Sequence, residues 1–139
     1  IEKKLSKDLS DHIGKKCFTI YNPAFDKKIF NLSKEKVSLH PKKNTILAVG
    51  RLEIQKDMII ILKAFKNLLK NINANLLIIG YGSQFHMLKD YIEKNKLSRN
   101  VKILKNIKNP FPYYKLADTF VLSSKYEGFG NVLVEAGIS

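Results

Sequence analysis

Residues 45–69 read TILAVGRLEIQKDMIIILKAFKNLL and contain two different hydrophobic periods. Residues 45–49 form a short apolar run that Gly50 closes, which is typical of a buried parallel strand. From residue 58 to residue 69, apolar side chains recur at spacings of three and four, which predicts an amphipathic helix. This stretch therefore predicts a strand followed directly by a helix, the first half of a βαβ unit.

The same alternation continues to the end of the sequence. Residues 75–79 repeat the apolar run, which Gly80 closes. Further strands are predicted at residues 101–104 and 119–122, and helices at residues 83–95, 112–117 and 131–137. Crossovers of this kind give a parallel sheet with helices on both faces. The predicted fold class is therefore α/β, with a doubly wound, mostly parallel Rossmann-like sheet.

The beginning of the chain has a different pattern. A helix is predicted first, followed by a strand at residues 17–21, a turn at Asn22-Pro23 and a polar connector through residues 41–43. This segment is either a small N-terminal layer of the same domain or the tail of a preceding domain. We assign residues 1–43 to such a tail with its interdomain linker, and residues 44–139 to the Rossmann-like domain.

The composition is that of an ordinary globular domain with a strong basic excess. Apolar residues make up 45% of the sequence, and no apolar run is long enough to cross a bilayer. The net charge is +13, but it comes almost entirely from scattered lysines, with Arg51 and Arg99 as the only arginines. Nucleic-acid readers usually cluster arginines, so the pattern disfavours that class and leaves contact with an anionic membrane surface open. Cys17, the single cysteine, is expected to be buried and fits a reducing compartment.

Ligands of a parallel sheet bind in the crevice beyond the carboxyl ends of its strands. The predicted loops at that edge are residues 50–57, 80–83, 105–110 and 123–130. The first loop carries Gly50-Arg51 and Lys56, two cations that suit a diphosphate, with a solvent-facing pair as the alternative. The second carries Gly80-Tyr81-Gly82, which allows close approach of a ligand to the backbone. Tight turns need glycine as well, so this motif also has a purely structural interpretation.

The fourth loop and the helix after it read YEGFGNVLVEA, residues 126–136. Gly128 and Gly130 expose backbone N–H groups where the helix N-terminus offers unpaired donors and the positive end of its dipole. A diphosphate fits this environment, and Glu127 and Glu135 suit sugar or ribose hydroxyls beside it. The alternative is that both carboxylates only cap or salt-bridge the start of the helix.

Taken in order, these motifs resemble the C-terminal domain of family 4 of the retaining glycosyltransferases, which have the two-Rossmann GT-B fold. The family pattern of Val-Gly-Arg-Leu and then lysine is matched by residues 49–52 and Lys56, and its strand-Gly-x-Gly by residues 78–82. Residues 100–104 are similar to the family's third strand, with Lys105 where glycine is usual.

The last part of the chain extends this resemblance. Tyr113-Tyr114 and Ala117-Asp118 match the family's Tyr-Tyr and Ala-Asp pairs, and residues 124–129 match its Ser-x-x-Glu-Gly-Phe. The resemblance covers residues 44–139 without a large gap. It implies one half of a GT-B fold, a nucleotide-sugar-binding domain.

The resemblance also implies a role for each matched residue. Arg51 and Lys56 are expected to neutralise the donor diphosphate and Glu127 to bind the transferred sugar, which makes these three the implied catalytic set. Glu135 is expected to bind the ribose, and Ile107 to flank the base. The implied donor-binding set is Gly50, Gly80, Gly82, Ile107, Gly128, Phe129, Gly130, Asn131, Val132 and Glu135.

The implied reaction is transfer of a sugar from UDP or GDP to an acceptor hydroxyl with retained anomeric configuration, in glycan, lipopolysaccharide or glycolipid synthesis. No Asp-x-Asp motif occurs, so we expect neither a metal nor a cofactor. The expected partners are the nucleotide sugar, a glycan or lipid-linked acceptor and an N-terminal domain of the same protein, in the cytoplasm or at the inner face of a membrane. We also expect the chain to begin inside a larger gene product and the domain to be incomplete at its C-terminus.

One departure and two alternatives accompany this interpretation. Asp57 stands where the family often has glycine after the lysine, and its carboxylate would suit a helix cap while adding negative charge near the phosphates. An inactive nucleotide-binding regulatory domain is one alternative, which the intact site residues disfavour. A basic nucleic-acid-binding module is the other, which the predicted inward positions of Phe65, Phe85 and Phe120 disfavour.

Overall fold

The structure is a computed structural model and describes residues 2–20, 26–37 and 44–139. The strands are β1 (Thr45–Val49), β2 (Asn75–Ile79), β3 (Val101–Leu104) and β4 (Thr119–Phe120). The helices are α1 (Glu2–Ile13), α2 (Lys28–Leu32), α3 (Met58–Leu68), α4 (Phe85–Lys94), α5 (Phe111–Leu116) and α6 (Asn131–Ile138), with a 3₁₀ turn at Ile54–Lys56. Strands and helices alternate from β1 onward, as the hydrophobic pattern predicts.

The four strands form one sheet in the order β3-β2-β1-β4. Ile46 of β1 lies opposite Leu76 of β2 on one side and opposite Thr119 of β4 on the other. β1 and β2 run parallel because α3 carries the chain back between them. The predicted α/β fold is confirmed, and each of the three described pairings is parallel.

Helices cover both faces of this sheet, because successive side chains of each strand point to opposite faces. Ala48, Leu76 and Ile78 pack with α3 and α4 in one core. Leu47 and Leu77 pack with α5 in the other core. Burial on both faces explains why the strands read as uninterrupted apolar runs. The doubly wound architecture is therefore confirmed.

The three phenylalanines that the pattern places inside do face the cores. Phe65 is buried in the core that α3 and α4 share, and Phe85 packs against the same core. Phe120 packs against the core on the other face. These rings therefore contribute to packing rather than to an exposed stacking surface.

The element boundaries differ from the predicted ones chiefly at β4. The pattern predicts a strand at residues 119–122, whereas β4 ends at Phe120. Val121 still donates its N–H to the Leu47 carbonyl oxygen at 2.9 Å. Beyond it the chain turns toward the loop after β1, which ends the strand early. The predicted helices are correct to within one or two residues at each end.

The segment after α1 is not a strand. α1 forms as predicted, but residues 17–20 are not part of a strand, and Tyr21 lies outside the described residues. The N–H of Cys17 donates to Ser10 Oγ at 2.8 Å, and its carbonyl oxygen accepts from Ser6 Oγ at 3.0 Å. Side chains of α1 therefore satisfy both backbone groups of Cys17. The expectation of a buried thiol is also wrong, since Cys17 is half-buried.

α2 packs against α5 and α6. Ile29 is buried, and Asn109 Nδ2 donates to the Leu32 carbonyl oxygen at 2.9 Å. The predicted turn at Asn22-Pro23 and the connector at residues 41–43 lie outside the described residues. The domain boundary after residue 43 therefore stays a prediction.

Candidate functional site

The loops that follow the strands meet at one edge of the sheet. Gly50 donates its N–H to the Ile79 carbonyl oxygen at 3.0 Å, and Gly80 donates to the Leu104 carbonyl oxygen at 3.0 Å. The parallel pairing therefore continues one step past the strands. Gly50, Gly80 and Leu104 stand side by side at the carboxyl edge, where a ligand of such a sheet binds.

The first two loops approach so closely that only glycine fits between them. A Cβ atom on Gly80 would lie 1.9 Å from the Gly50 carbonyl oxygen. Gly82 has a φ of +153°, and a Cβ there would lie 2.5 Å from the Leu52 carbonyl oxygen. The structural interpretation of this Gly-x-Gly motif therefore holds. The ligand-binding role of Gly50, Gly80 and Gly82 is a separate proposal.

Glu53 joins these two loops, which the sequence pattern did not indicate. Its carboxylate accepts the Ser83 N–H at 3.0 Å and the Ser83 hydroxyl at 2.7 Å. Hydrogen bonds from Ser83, with help from the positive charge of Arg51, lower the pKa of Glu53. Glu53 and Ser83 are 30 residues apart, so no local spacing signals their contact.

Lys56 and Glu127, two of the predicted catalytic residues, form an ion pair. Ser124 Oγ donates to Glu127 Oε1 at 2.5 Å. Only 13% of the Lys56 side chain and 25% of the Glu127 side chain are exposed. The hydrogen bond from Lys56 is the main cause that lowers the pKa of Glu127, followed by the one from Ser124. Glu127 is therefore held as a carboxylate.

Arg51, the third predicted catalytic residue, is exposed in the same loop as Lys56. Its charge contributes to lowering the pKa of both Glu53 and Glu127. Arg51 and Lys56, both in the loop after β1, thus lie close enough to Glu127 for their charges to lower its pKa.

The loop after β4 is tied to the 3₁₀ turn by several hydrogen bonds. Gln55 Nε2 donates to the Tyr126 carbonyl oxygen at 2.9 Å, and Lys125 donates its N–H to the Gln55 carbonyl oxygen at 2.9 Å. Ser123 Oγ donates to the Lys56 carbonyl oxygen at 2.7 Å. The backbones that carry Lys56 and Glu127 are therefore fixed relative to each other.

Asp57 does not cap α3 with its side chain, contrary to the expectation for this carboxylate. It occupies the position before the helix with a φ of +46° and makes no capping hydrogen bond. Its carboxylate instead faces Lys125, with Oδ2 and Nζ 3.8 Å apart. This left-handed backbone conformation explains why glycine suits the position, and aspartate adopts the same conformation here.

α6 begins at the edge of the site. Gly130 precedes it with φ +69° and ψ +50°, a left-handed conformation that favours glycine. Asn131 opens the helix and Val132 follows it, so their N–H groups belong to the first turn, which lacks intrahelical acceptors. Gly128 and Phe129 are exposed in the loop just before. The structure therefore puts the predicted backbone donors at a helix N-terminus, the environment that favours an anion.

Glu135 lies one turn into α6 and is half-buried. Its Oε2 accepts a hydrogen bond of 3.0 Å from the Tyr114 hydroxyl. Burial is the main cause that raises the pKa of Tyr114, and the charge of Glu135 adds to it. The Tyr-Tyr pair contributes to the sequence resemblance, but a contact across 21 residues has no sequence signal of its own.

Ile107 lies in the loop after β3 and packs against the core that includes α5. It is half-buried, so part of the side chain stays at the surface of that loop. This location is the one the sequence predicts; contact with a base is a separate proposal.

Two features are absent from the described part of the chain. None of its helices has the length and apolar character needed to span a membrane. Its histidine, cysteine, aspartate and glutamate side chains form no group of three or more that could hold a metal ion.

The sequence comparisons identify the family. Residues 30–138 match the family described as Glycosyl transferases group 1. This chain belongs to that family. The amylovoran biosynthesis glycosyltransferase AmsD of Erwinia amylovora is 37% identical over 95 residues, which cover 68% of this chain and 27% of the relative.

A second relative is similar over more of the chain. It is the N-acetylgalactosamine-N,N'-diacetylbacillosaminyl-diphospho-undecaprenol 4-alpha-N-acetylgalactosaminyltransferase of Campylobacter jejuni. It is 32% identical over 122 residues, which cover 88% of this chain and 32% of the relative. The chain thus spans about a quarter to a third of the length of these two curated relatives.

The fold is also similar to solved glycosyltransferase structures. A TarM mutant of S. aureus, crystallised with Fondaparinux, alpha-GlcNAc-glycerol and UDP, matches with a TM-score of 0.77 and 23% sequence identity. The match covers 99% of this chain and 27% of the TarM chain. The predicted resemblance to the C-terminal domain of a GT-B glycosyltransferase is confirmed.

Proposed function

We propose that this chain is the donor-binding domain of a retaining, metal-independent glycosyltransferase. The reaction is transfer of a hexose from a UDP- or GDP-sugar to a hydroxyl of a glycan or lipid-linked acceptor. The observation that carries the proposal is the Lys56–Glu127 ion pair, which lies at the carboxyl edge of the sheet. Family membership supports sugar transfer as the reaction. The position of Lys56 and Glu127 at the carboxyl edge supports their assignment to the donor site.

The donor diphosphate is proposed to bind between the first loop and the start of α6. Arg51 and Lys56 supply positive charge, and the N–H groups of Gly128 through Val132 supply hydrogen bonds with the positive end of the helix dipole. The leaving diphosphate gains negative charge in the transition state, and fixed donors of this kind stabilise such charge strongly. This arrangement does the work that a metal ion does in other transferases.

The sugar and the nucleoside are proposed to lie on either side of the diphosphate. Glu127 accepts hydrogen bonds from the transferred sugar, and Glu135 accepts them from the ribose. Ile107 flanks the base, while Gly50, Gly80 and Gly82 leave the backbone accessible because they have no side chain.

Donor binding is proposed to exchange the partner of Lys56. In the described structure Lys56 is paired with Glu127. A diphosphate carries more negative charge than one carboxylate and competes for the same ammonium group. Once Lys56 is released, Glu127 is free to accept hydrogen bonds from the sugar hydroxyls. A single exchange therefore prepares both the diphosphate site and the sugar site.

The relatives support the acceptor class. One acts in amylovoran biosynthesis, and the name of the other specifies a diphospho-undecaprenol acceptor, which is a lipid. A membrane-bound acceptor fits the net charge of +13 and the exposed leucines of α1, Leu5 and Leu9. We propose peripheral contact with the inner face of a membrane, and an acceptor site on an N-terminal domain of the same protein.

Calorimetric titration of UDP and of GDP tests the donor site. We expect one of the two nucleotides to bind, and Lys56→Ala to weaken that binding at least tenfold because the diphosphate loses a charge-assisted contact. Lys63→Ala removes a lysine that is exposed on α3 and serves as the control for charge alone. These titrations use the full-length protein, and failure of both nucleotides to bind it would overturn the proposal.

A second measurement separates an enzyme from a regulatory domain. Release of free nucleotide from a panel of UDP- and GDP-sugars by the full-length protein, in the presence of a lipid-linked acceptor, reports transfer; residues 1–139 alone are expected to transfer no sugar, because the proposed acceptor site lies on the N-terminal domain. Nucleotide binding without transfer from any donor would favour the inactive regulatory domain instead.

A further inference from the structure

Tyr114 connects the core of the domain to the candidate ribose-binding carboxylate. Tyr114 lies on α5 with only 6% of its surface exposed. Its ring packs near Phe111 and Phe120, with centroid separations of 6.3 Å and 5.4 Å. Its hydroxyl donates to Glu135 Oε2 at 3.0 Å. A core side chain therefore reaches out to a half-buried side chain on α6.

This geometry limits the freedom of the Glu135 carboxylate. The Tyr114 ring is buried and packs against two aromatic neighbours, which restricts the position of its hydroxyl oxygen. A glutamate side chain without such a partner samples several rotamers. A ligand that binds it must then offset the conformational entropy that the side chain loses on ordering. A single hydrogen bond to Oε2 leaves Oε1 and the remaining lone pairs available to a ligand.

We propose that Tyr114 is a positioning residue whose hydroxyl orients Glu135 toward the ribose hydroxyls of the nucleotide donor. The inference rests on the proposed function, because it takes the ribose contact of Glu135 as given. It adds a residue that does not touch the nucleotide and acts through Glu135. Burial and the neighbouring carboxylate raise the pKa of Tyr114, so the hydroxyl stays protonated and remains a donor at neutral pH.

The test uses Tyr114→Phe, which keeps the ring and removes only the hydroxyl. Calorimetric affinities are measured for UDP and GDP and for their 2′,3′-dideoxy forms, which lack the ribose hydroxyls. We expect Tyr114→Phe to weaken binding of the ribonucleotide by about three- to tenfold, the range for loss of one oriented hydrogen bond. The dideoxy nucleotide should bind parent and variant equally.

Tyr113→Phe is the matched control, since Tyr113 is also buried on α5 and its substitution leaves the Tyr114–Glu135 bond in place.

The comparison of the two nucleotides distinguishes positioning from a merely structural role. The affinities of both nucleotides are measured on the same folded variant, so a general loss of stability would weaken the binding of both alike. If Tyr114→Phe weakens binding of the ribonucleotide and of the dideoxynucleotide equally, the inference is overturned. An additive loss in the double variant Tyr114→Phe with Glu135→Ala would also overturn it, because positioning predicts that Tyr114→Phe has no further effect once the side chain that accepts its hydroxyl is gone.

Glu135→Gln alone separates the inference from the proposed function. If this variant binds the ribonucleotide as tightly as the parent, the ribose contact itself is wrong and the inference falls with it. If Glu135→Gln weakens binding and Tyr114→Phe does not, the ribose contact stands and only the role of Tyr114 is refuted.

Discussion

Lys56 and Glu127 form an ion pair although 71 residues separate them in the sequence. Lys56 follows β1 and Glu127 follows β4, and these two strands are parallel neighbours in the sheet. Parallel neighbours end at the same edge, so the loops after them meet. The family resemblance assigns Lys56 to the diphosphate of the donor and Glu127 to its sugar. In the structure these two side chains contact each other directly.

Removal of either cation should slow sugar transfer. In the full-length protein, Arg51→Ala and Lys56→Ala each remove positive charge from the proposed diphosphate site, and we expect kcat/KM to fall by roughly 30- to 1,000-fold, or about 2–4 kcal/mol. Steady-state kinetics with the preferred nucleotide sugar measures this. Lys63→Ala, on the exposed face of α3, should keep the parent rate. A parent-like rate for Lys56→Ala would show that the diphosphate is neutralised elsewhere.

The Lys56–Glu127 pair should make stability depend on pH in the acid range. Lys56 and Ser124 lower the pKa of Glu127 below its ordinary value of 4.5, so folding is favoured where the unfolded carboxyl is ionised. That contribution is fully present above about pH 5.5 and is lost as the pH falls below 4.5 through the lowered pKa. Glutamine cannot titrate, so the stability difference between the parent and Glu127→Gln should shrink as the pH falls.

Urea unfolding of both proteins at a series of pH values measures that difference. Because the Lys56 side chain is only 13% exposed, screening by salt should reduce the effect without abolishing it. A stability difference that stays constant from neutral pH to about pH 3.5 would contradict a stabilising pair.

Substitution of Gly80 should destabilise the fold. A Cβ in Gly80→Ala would lie 1.9 Å from the Gly50 carbonyl oxygen, so the first two loops must separate. We expect the free energy of unfolding to fall by about 2–4 kcal/mol, measured by chemical denaturation. Gly137→Ala is the control, because a Cβ there meets nothing within 4 Å and alanine favours a helix by up to about 1 kcal/mol. Equal losses in both variants would refute steric exclusion as the cause.

Sugar transfer should survive removal of divalent cations. In the proposed function, Arg51, Lys56 and the N-terminus of α6 supply the positive potential that the diphosphate needs. We therefore expect the same kcat with excess EDTA as with added magnesium. A rate that EDTA abolishes and that magnesium or manganese restores would show that a metal ion neutralises the diphosphate instead.

Much of the fold could be predicted from the sequence because its signals are local. Residues 45–49 and 75–79 are uninterrupted apolar runs, as strands covered on both faces must be, and the structure has β1 and β2 with those bounds. The error at β4 arises from an interaction outside the strand. Ser123 bonds to the Lys56 carbonyl oxygen and draws the chain from the sheet, although the apolar run continues to Leu122.

The candidate site was predicted as a set of residues but not as a set of contacts. The sequence by itself determined the alternation of strands and helices, the loops that carry Lys56, Glu127 and Glu135, and the family resemblance. Only the tertiary structure decided that Lys56 pairs with Glu127 and that Tyr114 bonds to Glu135. Hydrophobic periods and turn residues act over a few positions along the chain, whereas these contacts depend on strand order and helix packing, which bring distant loops together.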